Sequence, residues 1–176
     1  MGKVLYLECN SGISGDMTVG ALLDLGADRH VLEHALESLG VGGYHLHFGR
    51  KDVCGLDSYD FDVHLEEDGH EHDHPHSHED HHGHSHVHQH GDGHPLVHRN
   101  LFDIYQIIDK LESNDRVKEL ARRMFRIVAE AESKAHGLPI DQVHFHEVGA
   151  IDSIVDIISV AVCVDNLGVD DVVVSA

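Results

Sequence analysis

Basic side chains are scarce in this sequence: 12 Lys and Arg stand against 32 Asp and Glu, for a formal net charge of −20 over 176 residues. The shortage is uneven. Between Lys51 and Arg99 there are twelve acidic residues and no Lys or Arg, which leaves about −8 for the rest of the chain. Phosphate contacts need clustered cations, and the densest cluster, Arg122, Arg123 and Arg126, falls on one short helical face that an ordinary solvated surface explains; this argues against nucleic acid as a partner. Cysteine is scarce too. Cys9, Cys54 and Cys163 are odd in number, far apart and in no CxxC spacing, so a disulfide framework is not expected and packing is their only assigned role. Long hydrophobic runs are missing: the most apolar stretch, 151–167, contains Asp152, Asp156 and Asp165, and no charged leader with an apolar segment opens the chain. These absences predict a soluble, reducing, cytoplasmic protein without a membrane span.

What is abundant is histidine, with thirteen in the twenty-nine positions from His70 to His98. Neutral imidazole suits Ni, Cu, Zn and Co, and the lack of cationic neighbours removes the repulsion a metal ion would meet. The irregular HxH and HH spacing of His70, His72, His74, His76, His78, His81, His82, His84, His86, His88 and His90 is unlike a closed four-ligand zinc site and reads as a multisite metal reservoir. Imidazole binds metal only when neutral, and an unperturbed His titrates near pH ~6.5, so loading should fall steeply below that. Residues 66–97 hold almost nothing apolar and cannot offset the entropy of ordering their backbone, so a disordered insert is expected there without metal. Mobile ligands do not hold a substrate in fixed geometry, which argues against catalysis by the tract.

On either side of the insert the patterning predicts one α/β domain, 1–65 with 98–176, built as a mixed sheet with covering helices. KVLYLEC (3–9) reads as a strand, followed by a Ser/Gly turn, then a helix with Asp16 as candidate N-cap and Met17, Ala21, Leu22 and Leu25 as its stripe. Asp28 caps a second helix with Leu32, Ala35, Leu36 and Leu39 inward, and Gly26 and Gly40 stand as C′ residues. Strict alternation of Tyr44, Leu46 and Phe48, then of Tyr59, Phe61, Val63 and Leu65, predicts two half-buried strands. Paired as a hairpin through 49–55, they would put His45, His47, Asp60, Asp62 and His64 on one exposed face, which an ordinary wet surface also explains. After the insert, Asn100 caps a helix with Leu101, Ile104, Tyr105, Ile108 and Leu111 inward. A longer helix follows and stops at Gly137 and Pro139, and a buried helix, 153–167, has Asp152 as its N-cap and Gly168 as C′. His136 is most simply a helix C-terminal dipole or cap residue. Val172, Val173 and Val174 read as a core strand that ends two residues later, so truncation at the C-terminal end is expected.

Two constellations can carry chemistry. The first is Asn10-Ser11-Gly12-Ile13-Ser14-Gly15-Asp16-Met17, a glycine turn from a strand into a helix N-terminus. Such a turn can offer N–H groups to phosphate or carboxylate. It lacks the Lys-Ser/Thr of a Walker A loop and has too few glycines for the dinucleotide fingerprint, and a tight turn capped by Asp16 explains it as well. Asp16 would suit a metal or a metal-bridged anion better than a bare phosphate. The second is His144-Phe145-His146-Glu147 followed by Asp152 and Asp156. Two histidines one apart share a side of an extended chain, and the two Asp lie one turn apart on a helix, which suits an N/O metal site for Ni, Zn, Mn or Fe. One carboxylate could instead orient a ligating imidazole, or Asp152 could be a cap with the histidines at a domain edge.

Together, KVLYLECNSGISGDM and VHFHEVGAIDSIVDI, with the His-rich insert between them, closely resemble the LarC family, the nickel insertion proteins of lactate racemase cofactor biosynthesis. The resemblance covers Lys3 onward to Ala176. It implies a chelatase, a metal-inserting lyase, that places Ni(II) into pyridinium-3,5-bisthiocarboxylic acid mononucleotide in a CTP-dependent process to form the nickel-pincer nucleotide. Asp16 with the Ser11, Gly12, Ser14 and Gly15 loop, and His144, His146, Glu147, Asp152 and Asp156, match the family's motifs. The roles expected here are our own reading, with Asp16 and Glu147 as catalytic groups, the loop holding the mononucleotide phosphate, and His144, His146, Glu147, Asp152 and Asp156 as an ordered nickel site fed by the tract. Family members continue into a C-terminal domain associated with CTP and Mn(II), so this chain resembles the N-terminal part alone. The implied partners are the mononucleotide substrate, the chain's own C-terminal domain or a downstream polypeptide, and the apo-racemase, without nucleic acid or membrane. A nickel storage or metallochaperone protein that never touches an organic substrate is the rival reading. A metal-dependent hydrolase ranks last, because no nucleophile or general base is identifiable.

Overall fold

The computed structural model describes residues 2–66, 99–145 and 148–175. In chain order the elements are β1 (Lys3–Leu7), α1 (Gly15–Asp24), α2 (Arg29–Glu37), β2 (Tyr44–Val53), β3 (Leu56–Leu65), β4 (Arg99–Asn100), α3 (Leu101–Lys110), α4 (Asp115–His136), a 3-10 turn at Ile140–Gln142, β5 (His144–Phe145), α5 (Ile151–Asn166) and β6 (Val169–Val174). The α/β class is as expected. The His-rich insert, from residue 67 on, lies outside the described residues.

Local sequence sets most of these boundaries. The carboxylate of Asp28 accepts the His30 N–H at 2.8 Å to start α2. Asn100 and Asp103 form a capping box at the start of α3, each side chain accepting the other residue's backbone N–H at 3.0 Å. Replacing Asn100 by Ala leaves the Asp103 N–H without its acceptor and should cost about 1 kcal/mol, read as a lower urea midpoint with an unchanged m value. α4 is stopped by Gly137 at φ +65° with Pro139 beyond. The hairpin turn is tighter than the expected 49–55: β2 runs through Val53, and only Cys54 (φ +54°) and Gly55 (φ +83°) turn the chain, the two positive φ values of a type I′ loop.

Two expected details are corrected. Asp16 does not cap α1: Ser14 holds the N-cap position and Asp16 lies in the first turn. Likewise α5 begins at Ile151 with Ala150 as N-cap, so Asp152 is a first-turn residue whose side chain is left for other contacts. The stripe of α1 is also rotated. Val19, Leu22 and Leu23 are buried, while Met17 and Leu25 face outward, because the helix is turned to bring Gly20 against β3.

A single mixed sheet does not form; among the described residues the strands make three two-stranded sheets, β1 parallel to β6, β2 antiparallel to β3, and β4 antiparallel to β5. The physical reason is visible at the edge of β3. Asp24 of α1 accepts the Tyr59 N–H at 3.2 Å, and a Cβ on Gly20 would lie 2.9 Å from the Tyr59 carbonyl oxygen, so a helix occupies the edge another strand would need. Val172, Val173 and Val174 form the expected strand but are about half exposed, since only β1 pairs with it; Val169 alone of β6 is buried.

α5 is the centre of the core, as expected. Ile154, Val155, Ile158, Ala161 and Val162 are buried on it, and it packs on α1, α2, α4, β3 and β6. Cys163 is buried there too, and burial pushes its thiol up to about 12, so it stays an unreactive packing group. No helix of the described residues is long and apolar enough to cross a membrane.

Candidate functional site

The N-terminal turns of α1 and α5 meet. Gly15, the first residue of α1, sits so close to Asp156 on α5 that a Cβ there would fall inside the carboxylate's contact distance. The backbone N–H of Asp16 favours that carboxylate, as a helix N-terminus should. The position at which the glycine turn was expected to offer N–H groups to a ligand anion is thus held by the chain's own Asp156.

The electrostatics around Asp156 are unfavourable. Burial is the largest cause that pushes its carboxyl up, to about 6, and the neighbouring charges of Asp16, Asp152 and Asp62 push the same way. The amide of Asp16 opposes that rise, and Lys51, paired with Asp60, acts on Asp16 and Asp62. The Oδ1 atoms of Asp152 and Asp156 are buried without hydrogen-bond partners, and so is the hydroxyl of Ser159. Asp152, Asp156 and Ser159 fall at i, i+4 and i+7, which is one stripe of α5. Buried carboxylate oxygens without hydrogen-bond partners are what a bound divalent cation would relieve, and carboxylate oxygen is a donor that Ni(II) and Mn(II) share. The same negative charge does not fit a bare nucleotide triphosphate.

The structure therefore brings together Asp16, Gly15, Asp152 and Asp156 from the two expected constellations. Ser11 and Gly12 lie farther out in the loop, where Gly12 turns at φ +80° and its N–H is given to the Cys9 carbonyl at 2.9 Å. His144 is exposed in β5 opposite Asn100, and the buried Phe145 beside it anchors that strand. Arg99 ties down the turn that follows by donating to the Gly149 carbonyl at 2.6 Å. His146, Glu147 and the tract histidines from His70 to His90 lie outside the described residues. Among the described residues no three His, Cys, Asp or Glu side chains converge closely enough to close a metal site by themselves.

Sequence reasoning missed Asp62 and Ser159. Ser159 was accessible to it, because it continues the Asp152 and Asp156 stripe at helical spacing. Asp62 was not, since its nearness to Asp156 depends on how β3 packs against α5.

Comparison with known proteins decides the family. The model of the nickel insertion protein family matches residues 5–176. This chain belongs to that family. Its relatives include the pyridinium-3,5-bisthiocarboxylic acid mononucleotide nickel insertion proteins of Alkaliphilus metalliredigens, 56% identical over 99% of this chain and 39% of the relative, and of Geobacillus kaustophilus, 40% identical over 97% of this chain and 38% of the relative. The Staphylococcus epidermidis protein of the same name is 34% identical over 100% of this chain and 38% of the relative. The chain thus spans about two fifths of the length of these curated relatives. No solved structure matches it.

Proposed function

We propose that this chain is the nickel-handling part of an enzyme that inserts Ni(II) into pyridinium-3,5-bisthiocarboxylic acid mononucleotide, the substrate named for its relatives, to give the nickel-pincer cofactor of lactate racemase. The observation that carries the reading is the pair Asp152 and Asp156 on α5, whose buried Oδ1 atoms have no hydrogen-bond partner, with the charges of Asp16 and Asp62 acting on Asp156. In this proposal Asp152 and Asp156 are the oxygen donors to the cargo ion. Asp16, in the first turn of α1, holds the ion toward the substrate. His144, His146 and Glu147 complete the donor set, with Glu147 exchanging protons as the thiocarboxylates take the metal. The substrate phosphate reaches the Ser11, Gly12, Ser14 and Gly15 turn together with a cation, because Asp156 already occupies the helix N-terminus. CTP and Mn(II) are assigned to the remaining length that relatives carry.

The tract from His70 to His98 is the collector that keeps nickel near this site. Deleting 66–97 from the full-length protein should then lower the nickel bound per chain while sparing the insertion rate at saturating Ni(II), measured as nickel-bearing nucleotide by mass spectrometry. Loss of insertion with nickel in excess would overturn the collector role. Storage without insertion is separated by replacing His144, His146 and Glu147 with Ala in the full-length protein. A storage protein would keep its function, whereas an inserting enzyme should lose about 100-fold or more in rate, since even outer-shell partners of metals are worth about 10- to 100-fold.

A further inference from the structure

The hairpin carries three histidines that the Asp16 and Asp156 site does not use, with Asp62 beside them. In the β2–β3 register His45 stands opposite His64, and His47 opposite Asp62, so four residues occupy the corners of one two-by-two block on the outward face. Opposed residues of antiparallel strands stand about 5 Å apart and alternate residues along a strand about 7 Å, so the four side chains rise from one patch of the sheet. The ring centroids of His45 and His64 are 5.3 Å apart and those of His47 and His64 5.9 Å. Two imidazoles bound through nitrogen to one ion at about 2.0–2.1 Å place their centroids at a similar spacing, roughly 5–6 Å.

We propose that this face is a second divalent-metal site, with His45, His47 and His64 as nitrogen ligands and Asp62 as an oxygen ligand, selective for a borderline ion such as Ni(II). Three imidazoles and one carboxylate suit Ni, Zn, Cu and Co, whereas Mg and Ca would ask for an all-oxygen set. The nearby cations are engaged elsewhere: Lys51 pairs with Asp60 at 2.7 Å, and Arg50 pairs with Asp24 and with Asp57. Asp62 already approaches the Nε2 of His64 at 3.6 Å. Gly49, the next residue on the same face of β2, leaves room for the His47 ring, whose Nε2 would lie 2.8 Å from any Cβ there. A glycine inside a strand is otherwise unfavourable, and it often marks a place that must be kept clear. His45 and His64 are stacked at 16°, so the side chains do not converge as they stand; closing on an ion requires their rotation, which the half exposure of His47 and His64 permits.

Position gives the site its use. The His45–His64 pair is one step from the end of the hairpin, where Leu65 pairs with Tyr44 and the chain goes on toward His70. Asp62 is also one of the charges acting on Asp156. The hairpin face is thus joined in sequence to the tract and electrostatically to Asp156, as a folded acceptor for ions on their way inward. That relay role rests on the nickel-insertion reading; the metal site itself does not.

The test uses the full chain with the thirteen histidines from His70 to His98 replaced by Asn, titrated with nickel chloride by calorimetry in the absence of any nucleotide. This protein should retain an equivalent of Ni(II). His47→Ala with His64→Ala should weaken that equivalent by about 100-fold or more, given that an outer-shell partner alone costs about 10- to 100-fold. Asp156→Asn in the same background should leave it in place. Circular dichroism melting checks that each variant is folded, and Gly49→Val, which crowds His47 without removing a ligand, should weaken binding as well. No retained nickel, or retained nickel indifferent to His47 and His64, would overturn the proposal. A full-length protein with its tract intact that binds nickel here but inserts none, with substrate and CTP supplied, would overturn the insertion reading and leave this site standing.

Discussion

Asp156→Asn should make the metal-free protein more stable at pH 8 while abolishing its nickel transfer. The carboxyl of Asp156 is raised from 3.8 to about 6 in the folded chain, so the folded state holds its proton more tightly than the unfolded state. A raised carboxylate works against stability when ionised: between about pH 4 and pH 6 the wild-type protein loses stability as pH rises, and above that the loss is complete. The full shift is equivalent to about 3 kcal/mol, and partial contact with solvent reduces it to about 1–2 kcal/mol. Asn keeps the shape and an acceptor for the Asp16 amide but cannot ionise, so the variant escapes this loss. In a chain of this size the gain should appear as a melting temperature about 2–8 °C higher at pH 8, with the two proteins converging near pH 4. Insertion by the full-length protein should meanwhile fall about 100-fold or more, because a cation ligand is gone. A variant less stable than wild type at pH 8 would mean that Asp156 is a structural anchor and carries no stored repulsion. Unchanged insertion would remove it from the site.

That trade between stability and function also explains which parts of the protein could be read from its sequence. Elements closed by local chemistry were legible: the Asp28 cap, the Asn100 capping box, the Gly137 stop and the alternation of the hairpin all depend on neighbours within a few residues. Their errors are at ends that lack such chemistry. α1 and α5 have no side-chain cap, and there the expected caps, Asp16 and Asp152, turned out to lie inside the first turn. Both side chains are thereby released from a capping role and gathered near Asp156, so the local rule fails where the candidate site is built. The arrangement of strands was illegible for a different reason. Alternation identifies a strand but not its neighbour, and Asp24 with Gly20, which close the β3 edge, look like ordinary members of a helix until α1 is packed against Tyr59. Within the candidate site, the motif residues of each constellation were visible separately, while Asp62 and the seating of Asp156 on Gly15 arise only from tertiary packing.

Gly15 is where that packing is most exacting. A Cβ at this residue would collide with the Cβ, Cγ and Oδ2 of Asp156 at distances no real side chain sustains. The clash falls on the base of a short side chain, so rotation about one terminal bond does not relieve it. Either α1 must move away from α5 or the Asp156 side chain must leave the α1 N-terminus for a position against Asp152 and Asp62. Gly15→Ala should therefore cost about 3 kcal/mol, the upper end for an overpacked core contact. Gly12→Ala is the matched control: its φ of +80° is strained for Ala, yet nothing lies within 4 Å of the added carbon, so about 1 kcal/mol is expected. The double variant Gly15→Ala with Asp156→Gly distinguishes the two causes. Only removal of the whole side chain clears the 2.6 Å approach of the residue 156 Cβ, and a coupling energy of about 1–3 kcal/mol in urea unfolding should restore much of the lost stability. Independent, additive losses would show that Gly15 is required for its backbone and not for the approach of Asp156. The glycine of the turn would then contribute nothing to seating a carboxylate at the mouth of α1.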